Sequence, residues 1–146
     1  MRISVQAQPF DLGGEVAAFS SGVRGAGAVV SFTGLVRDEG GRLAGMEIEH
    51  YPGMTEKAIG VIVGEAVARW ALVDALVIHR FGRLGPGEAI MMVATAAGHR
   101  SEAFAAAEFL MDYLKSRAPF WKKELGAVGS EWVAAKDADE AALKRW

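Results

Sequence analysis

The sequence predicts an α+β domain in which helices pack against one or more sheets. Some segments alternate apolar and polar residues, which is typical of strands, whereas others repeat apolar residues every three or four positions, which is typical of helices. The connections between these segments are short. Apolar residues make up 51% of the 146 positions and charged residues 23%, the composition of a folded chain with a real core. We therefore expect residues 1–146 to form a single domain.

The first half of the chain contains short predicted strands and two predicted helices. The strands are "RISVQ", "GAVVSFTGLVR" and "MEIEHY". The segment "GGEVAAFSSG" predicts a short helix that ends at Gly22, and "DEGGRLAG" predicts a hairpin or a mobile loop. The segment "TEKAIGVIVGEAVARW" shows one apolar face at helical spacing, and Thr55 is placed to act as its N-cap.

The second half begins with two predicted strands, "DALVIHRFG" and "AIMMVATAA", joined by the turn "RLGPGE". The second of these strands is apolar throughout, which predicts burial on both faces or nearly so. A long helix follows, with Ser101 as its candidate N-cap. A late strand, "SEWVAAK", and a short terminal helix, "DADEAALKRW", complete the predicted order.

Composition excludes several kinds of site. The chain has no cysteine, so it has no disulfide, no thiolate metal site and no sulfur carrier of its own. The net charge of −2 indicates no global attraction to nucleic acid or to anionic membranes. No His, Asp and Glu spacing resembles a metal site, and the N-terminus lacks the apolar stretch of a signal peptide. We expect a soluble cytoplasmic protein without a metal or cofactor.

One short segment, "KSRAPFWKKE", concentrates basic and aromatic residues around Pro119. Because proline removes a backbone donor and clashes with the carbonyl four residues earlier, the long helix should end near Arg117. Lys115 then lies in the last helical turn, and Lys122 follows the corner. Burial of the two aromatic residues that follow Pro119 should hold this corner against the core; they are Phe120 and Trp121. The alternative is a capped helix end with solvated lysines.

Three further cationic side chains are candidates for binding an anion. His99 and Arg100 lie between a buried strand and the N-terminus of the long helix, where open backbone N–H groups favour negative charge. Arg37 ends a predicted strand. Alternatively, His99 is a structural histidine and Arg37 an ordinary exposed arginine. If these residues converge, we expect the lysines of the corner to be crowded by Arg100 and Arg117.

Several motifs together resemble the large, catalytic subunits of molybdopterin synthase. They are "FTGLVR", "EHYPGMTEKA", "IHRFG", "AGHRSEAF", "MDYLKSRAPFWKKE" and "KRW", and they span the chain from about Pro9 to Trp146. The resemblance implies an α/β hammerhead-type fold with an additional β subdomain. It also implies a homodimer that binds a small ubiquitin-like sulfur-carrier subunit at each end, giving a heterotetramer. The implied reaction converts cyclic pyranopterin monophosphate to molybdopterin, with two sulfurs delivered from the thiocarboxylated C-terminus of the small subunit.

The resemblance also implies roles for individual residues. Lys115 and Lys122 match the catalytic lysines of the family, and His99 and Arg100 match a substrate-binding pair. Arg37 matches a phosphate or pterin contact. Further residues matching the lining of the pocket are Leu35, Val36, Lys123 and Glu124. Lys136 stands where some relatives carry an arginine that reaches the neighbouring protomer, and lysine keeps the charge but loses the forked geometry.

Two other functions remain open from the residues alone. The aromatic side chains among the basic residues could stack on the bases of RNA or of nucleotides. The negative net charge and the local clustering of cations argue against this interpretation. The chain could also be a non-catalytic scaffold whose basic cluster binds an anion or the acidic tail of a partner.

Overall fold

Residues 1–41, 43–126, 129–133 and 137–146 are described by the structure, a computed structural model. The strands are β1 (Arg2–Gln6), β2 (Ala28–Leu35), β3 (Leu43–His50), β4 (Asp74–Arg80), β5 (Gly82–Leu84), β6 (Ala89–Ala97), β7 (Phe120–Gly126) and β8 (Gly129–Trp132). The helices are α1 (Leu12–Gly22), α2 (Met54–Trp70), α3 (Arg100–Arg117) and α4 (Asp137–Ala142), with 3₁₀ turns at Glu39–Gly41 and Leu143–Arg145.

The strands form two four-stranded sheets. Sheet A has the order β1-β4-β6-β2, with β1 parallel to β4 and the other pairs antiparallel. Sheet B has the order β5-β3-β7-β8 and is antiparallel. The predicted α+β class is confirmed, and sheet B is the additional β subdomain. The sequence did not predict β5, which is three residues long, or β7, whose strand character comes from pairing with β3 rather than from its charged side chains.

The main core lies between sheet A and the helices α2 and α3, and it extends to sheet B. Its members include Val63 of α2, Val93 of β6 and Phe109 of α3, together with Ile48 of β3 and Leu84 of β5. A smaller cluster on the opposite face of sheet A packs against α1. The predicted two-sided burial of β6 is confirmed, because every residue of the strand after Ala89 is buried.

The direction of α3 decides which residues can meet. In sheet A, Ala28 of β2 pairs with Ala97 of β6, and Leu35 pairs with Ala89. Because α3 starts just after β6 and packs on β2 and β6, it runs back along the sheet. It ends beside the end of the sheet that carries Leu35, Ala89 and His79. We call this the corner end of the molecule, since the chain turns there at Pro119.

Both N-cap predictions are wrong. The N-cap of α2 is Gly53, whose N–H donates to Glu56 Oε2 at 2.8 Å. Thr55 is fully buried within the helix and uses its hydroxyl for tertiary contacts. The N-cap of α3 is His99, and the hydroxyl of Ser101 donates to Glu102 instead. A serine or threonine near a helix start marks the helix, but the position of the cap depends on where the preceding chain enters.

Candidate functional site

The chain reverses at Pro119, as the sequence predicted. Helix α3 ends at Arg117, and Ala118 adopts extended geometry with ψ at 132°, as a residue before proline must. The N–H of Phe120 donates to the carbonyl of Ala118 at 2.8 Å, which closes a three-residue turn around the proline. Strand β7 begins at once. Lys115 and Lys122 therefore stand on either side of a turn fixed by backbone bonds.

Contacts from α2 and sheet A hold this corner. The hydroxyl of Thr55 accepts from the N–H of Tyr51 at 3.0 Å and donates to the carbonyl of Pro119 at 3.1 Å. The ring of Phe120 stacks on His79 of β4, with centroids 3.7 Å apart. The predicted burial of Trp121 is wrong: 43% of it is exposed, and it contacts Tyr51 edge-on. Trp121 is exposed because side chains alternate along β7 and only Phe120 turns toward the core.

Lys122 lies on the inner face of sheet B and is partly buried. It pairs across the strands with Ile48, whose side chain belongs to the main core. By alternation, Glu124 lies on the same inner face, and Lys123 lies on the outer face opposite Glu47. The two consecutive lysines thus face different surroundings, which their adjacency in the sequence does not reveal.

Lys115 is about half exposed and faces the acidic helix α4. Its Nζ lies 3.8 Å from Oδ1 of Asp139, and Arg117 donates to Glu140 at 2.7 Å. This hydrogen bond raises the pKa of Arg117. The sequence had predicted crowding by cations and had not paired the carboxylates of α4 with these residues. Pairing across more than 20 residues is set by the tertiary fold and has no local signal.

Residues Arg145 and Trp146 bind to α3 near the ion pairs of Lys115 and Arg117. The indole N–H of Trp146 donates to Asp112 at 2.6 Å, and its ring meets Trp70 and Phe109 edge-on. Arg145 donates to Asp112 at 2.7 Å and to Glu108 at 3.0 Å. The motif "KRW" therefore has a clear structural role, because it holds the terminal segment that follows α4 against α3.

Arg37 is exposed and follows β2 at the corner end. The preceding residue, Val36, is buried, with its N–H donating to Glu88 and its carbonyl accepting from Gly87. Leu35 is exposed at 58% on the edge strand of sheet A. The main-chain bonds of Val36 fix where Arg37 leaves the strand, so that its guanidinium stands at the same end of the molecule as Lys115.

His99 and Arg100 lie at the opposite end. They are exposed at the start of α3, whereas Lys115 is in its last turn. Fifteen residues of α-helix separate Arg100 from Lys115, a distance of roughly 22 Å. The expected crowding of the corner by Arg100 within one chain is therefore wrong. The sequence already implied this separation, since Arg100 and Lys115 lie near opposite ends of one unbroken helix.

A surface cavity of about 320 Å³ adjoins the corner, lined by Glu49, His50, Tyr51 and Trp121. The ring of His50 stacks on Phe81, with centroids 4.1 Å apart, so this histidine has a structural contact. Lys136 lies outside the described residues. In the described ranges, no group of three or more His, Cys, Asp or Glu side chains is arranged to hold a metal ion.

Helices of the described chain do not combine the length and apolar character that crossing a membrane requires.

Comparison with known proteins places these residues in a family context. The sequence profile of the MoaE protein family matches residues 5–117. The molybdopterin synthase catalytic subunit of Cereibacter sphaeroides is 72% identical over 146 residues, covering all of both chains. The solved structure of the molybdopterin biosynthesis MoaE protein from Burkholderia ambifaria is 52% identical, with a TM-score of 0.85, covering 99% of this chain and 96% of that one. Molybdopterin synthase from Staphylococcus aureus is 28% identical, with a TM-score of 0.81 over 92% of this chain and 98% of that one.

Proposed function

The chain belongs to the MoaE protein family, and from this premise we propose that it is the catalytic subunit of a molybdopterin synthase. The proposed reaction converts cyclic pyranopterin monophosphate to molybdopterin. The two sulfurs come from the thiocarboxylated C-terminus of a small ubiquitin-like partner subunit. A chain without cysteine suits a catalyst that receives sulfur from a partner. The name "catalytic subunit" of the Cereibacter relative itself presupposes a second kind of subunit.

The observation that carries this proposal is the rigid corner between α3 and β7. Catalytic groups must be held in a defined geometry, and here the helix end, the turn around Pro119 and the start of β7 are all fixed by hydrogen bonds. Lys115 stands before the turn and Lys122 after it. Their amines are the proposed proton-transfer groups, which donate to or accept from the substrate as sulfur is transferred and the cyclic phosphate opens.

Arg37 is the proposed anion-binding residue of the same chain. Its guanidinium can bind a phosphate through two parallel hydrogen bonds. It leaves β2 at the corner end, on a backbone fixed by Val36. Additional proposed pocket residues are Leu35, Val36, Lys123 and Glu124.

We place His99 and Arg100 in the site of a second copy. Their distance from Lys115 along α3 means that they reach a substrate at the corner only from another protomer. A homodimer would therefore have two composite sites, and binding of one small subunit at each would give a heterotetramer. Lys136 is a further candidate for contact across the same interface.

Two broader features belong to this proposal. We propose that residues 1–146 form one domain, because residues of both sheets belong to one hydrophobic core. We also propose that the protein acts in the cytoplasm. The RNA-binding alternative is disfavoured, because Lys115 and Arg117 face carboxylates rather than forming an open basic surface.

The experiment that tests the function is single-turnover conversion of cyclic pyranopterin monophosphate with excess thiocarboxylated partner. We expect Lys115→Ala and Lys122→Ala each to lower the rate about 100-fold or more, because each removes a positioned proton-transfer group. Melting temperatures should change little, since neither amine belongs to the core.

Lys123→Ala is the matched comparison, because it removes the same side chain from the next residue of β7 on the opposite face. Its effect on the rate should be milder. Parent-like rates in both the Lys115 and Lys122 variants would show that the corner is structural or a binding surface only.

A further inference from the structure

The ring of His79, on sheet A, contacts the first residue of β7, the strand of sheet B that carries Lys122. His79 lies on β4 of sheet A and is 4% exposed. Its ring is nearly parallel to that of Phe120, at 16°, with centroids 3.7 Å apart. Phe120 is the first residue of β7 and lies on the same inner face as Lys122. The stack therefore fixes how β7 leaves the corner relative to sheet A.

The ring of His79 is uncharged. Its Nδ1 is 2.8 Å from the carbonyl of Arg80, and because a carbonyl only accepts, Nδ1 carries the proton. Burial is the main cause that lowers the pKa of His79 to about 3; the bond to Arg80 opposes this shift, and the charges of Lys122 and His50 contribute to it. Lys122 lies two residues after Phe120 on the same face of β7, which is the face that contacts His79.

The backbone of Lys122 is held on both sides. It pairs with Ile48 of β3, and its carbonyl accepts from the N–H of Val133 at 2.7 Å. Phe120, two residues earlier, is held by the ring of His79. The stack connects this stretch of β7 to sheet A. It determines where the side chain of Lys122 stands relative to groups at the corner end.

We propose that His79 is a positioning residue for Lys122: its ring, stacked on Phe120, sets the start of β7 and gives the lysine ammonium a neutral neighbour. This inference rests on the proposed function, in which Lys122 transfers protons. A charged side chain at position 79 would repel the ammonium, and an aliphatic one would lose the flat contact with Phe120. An uncharged aromatic ring meets both requirements.

The test compares three variants in the single-turnover assay with thiocarboxylated partner. His79→Phe keeps an uncharged ring, and we expect a rate within about threefold of the parent. His79→Leu keeps volume but no ring, and Phe120→Leu removes the other half of the stack. We expect both to lower the rate about tenfold or more, because displacement of a catalytic group by about 1 Å is costly. Affinity for the partner should not change.

Ile78→Ala is the matched control for stability. Ile78 is the neighbouring buried residue of β4, but it belongs to the cluster on the opposite face of sheet A. The Ile78→Ala substitution should lower the melting temperature without lowering the rate. Equal rate losses in Ile78→Ala and His79→Leu at equal melting temperatures, or a parent-like rate in both leucine variants, would overturn the positioning role.

A second readout does not depend on the proposed reaction. The rate at which an amine-specific reagent labels Lys122, measured by mass spectrometry relative to Lys57, reports the surroundings of Lys122. This ratio should change in His79→Leu and Phe120→Leu and return to the parent value in His79→Phe. If the parent protein forms no product but the labelling ratios follow this pattern, the proposed function fails while the positioning role stands. Unchanged ratios in both leucine variants reject the role itself.

Discussion

The ion pair between Lys115 and Asp139 places a carboxylate beside one of the proposed catalytic amines. Both side chains are partly exposed, and Lys115 Nζ lies 3.8 Å from Asp139 Oδ1. The contribution of this pair to stability is therefore small. At the proposed site its effect on an anionic substrate would be different, because Asp139 would repel the phosphate and compete for the amine. We therefore expect an acidic residue to oppose substrate binding at the corner, on a helix that the sequence did not connect with the site.

Asp139→Asn should therefore strengthen substrate binding. We expect KM for the cyclic pterin phosphate to fall about threefold or more through loss of one repulsive charge. The melting temperature should stay within about 2 °C. Glu140→Gln is the control, since it removes the same charge from the next residue, which pairs with Arg117 instead. An unchanged KM in Asp139→Asn, or an equal fall in both variants, would contradict this local effect.

His79 makes stability depend on pH. Its pKa in the folded chain, about 3, lies below the ordinary histidine value of 6.5, so the unfolded chain binds more protons between these pH values. The stabilisation that neutral, buried His79 contributes is present in full above about pH 6.5, and it is lost as the pH falls toward 3. Between about pH 6.5 and 5, the free energy of unfolding should fall by roughly 2 kcal/mol more in the parent than in His79→Phe. Urea unfolding at both pH values measures this difference, and equal pH dependence in the two proteins would refute it.

At the scale of elements, Thr55 couples the start of α2 to the corner. One buried hydroxyl satisfies a backbone N–H of Tyr51 and the carbonyl of Pro119. Helix α2 and the turn between α3 and β7 are distant in the sequence, and this hydroxyl fixes their relative position. It is thus a contact between elements rather than a cap within one.

Thr55→Val preserves the shape of this side chain and removes both hydrogen bonds. We expect the free energy of unfolding to fall by about 1–3 kcal/mol, because two backbone groups lose their partner. Ser101→Ala removes a hydroxyl from the first turn of α3 that bonds only an exposed carboxylate, and it should cost less than about 0.5 kcal/mol. Chemical denaturation compares the two, and similar losses would show that Thr55 acts only as a local helix residue.

At the scale of the whole molecule, α3 separates two groups of cationic residues. Arg37 and the corner lysines lie at one end, and His99 and Arg100 lie at the other. Exposed apolar side chains near these positions, Phe32 on the edge strand β2 and Phe104 on α3, leave apolar surface available to a second copy.

Mixing two variants that each lack one proposed site residue tests whether the site is shared, at a substrate concentration at which each variant alone is impaired. Lys122→Ala and Arg100→Ala chains, coexpressed in equal amounts, should form mixed dimers with one complete site each. With random pairing, the recovered rate should approach about a quarter of the parent rate. Each variant alone is the control, and light scattering should give the mass of a dimer for each. If the rate of the coexpressed chains is no greater than the sum of the rates of the separate variants, His99 and Arg100 do not belong to a shared site.

Local sequence determined much of this protein. Pro119 ends α3 because its ring and missing N–H are incompatible with a continuing helix, whatever surrounds it. The period of the apolar residues likewise identified α2, α3 and β6, since burial of one face or of both imposes that period. Candidate site residues also came from the sequence, through motifs long enough to resemble a family.

Tertiary structure alone decided which side chains meet. Strand β7 exists because it pairs with β3, and this pairing turns Lys122 inward and Trp121 outward. Asp139 meets Lys115, and His79 meets Phe120, across separations that leave no periodic signal in the sequence. The physical reason is that local propensities depend on neighbouring residues, whereas pairing and burial depend on how distant segments share one core.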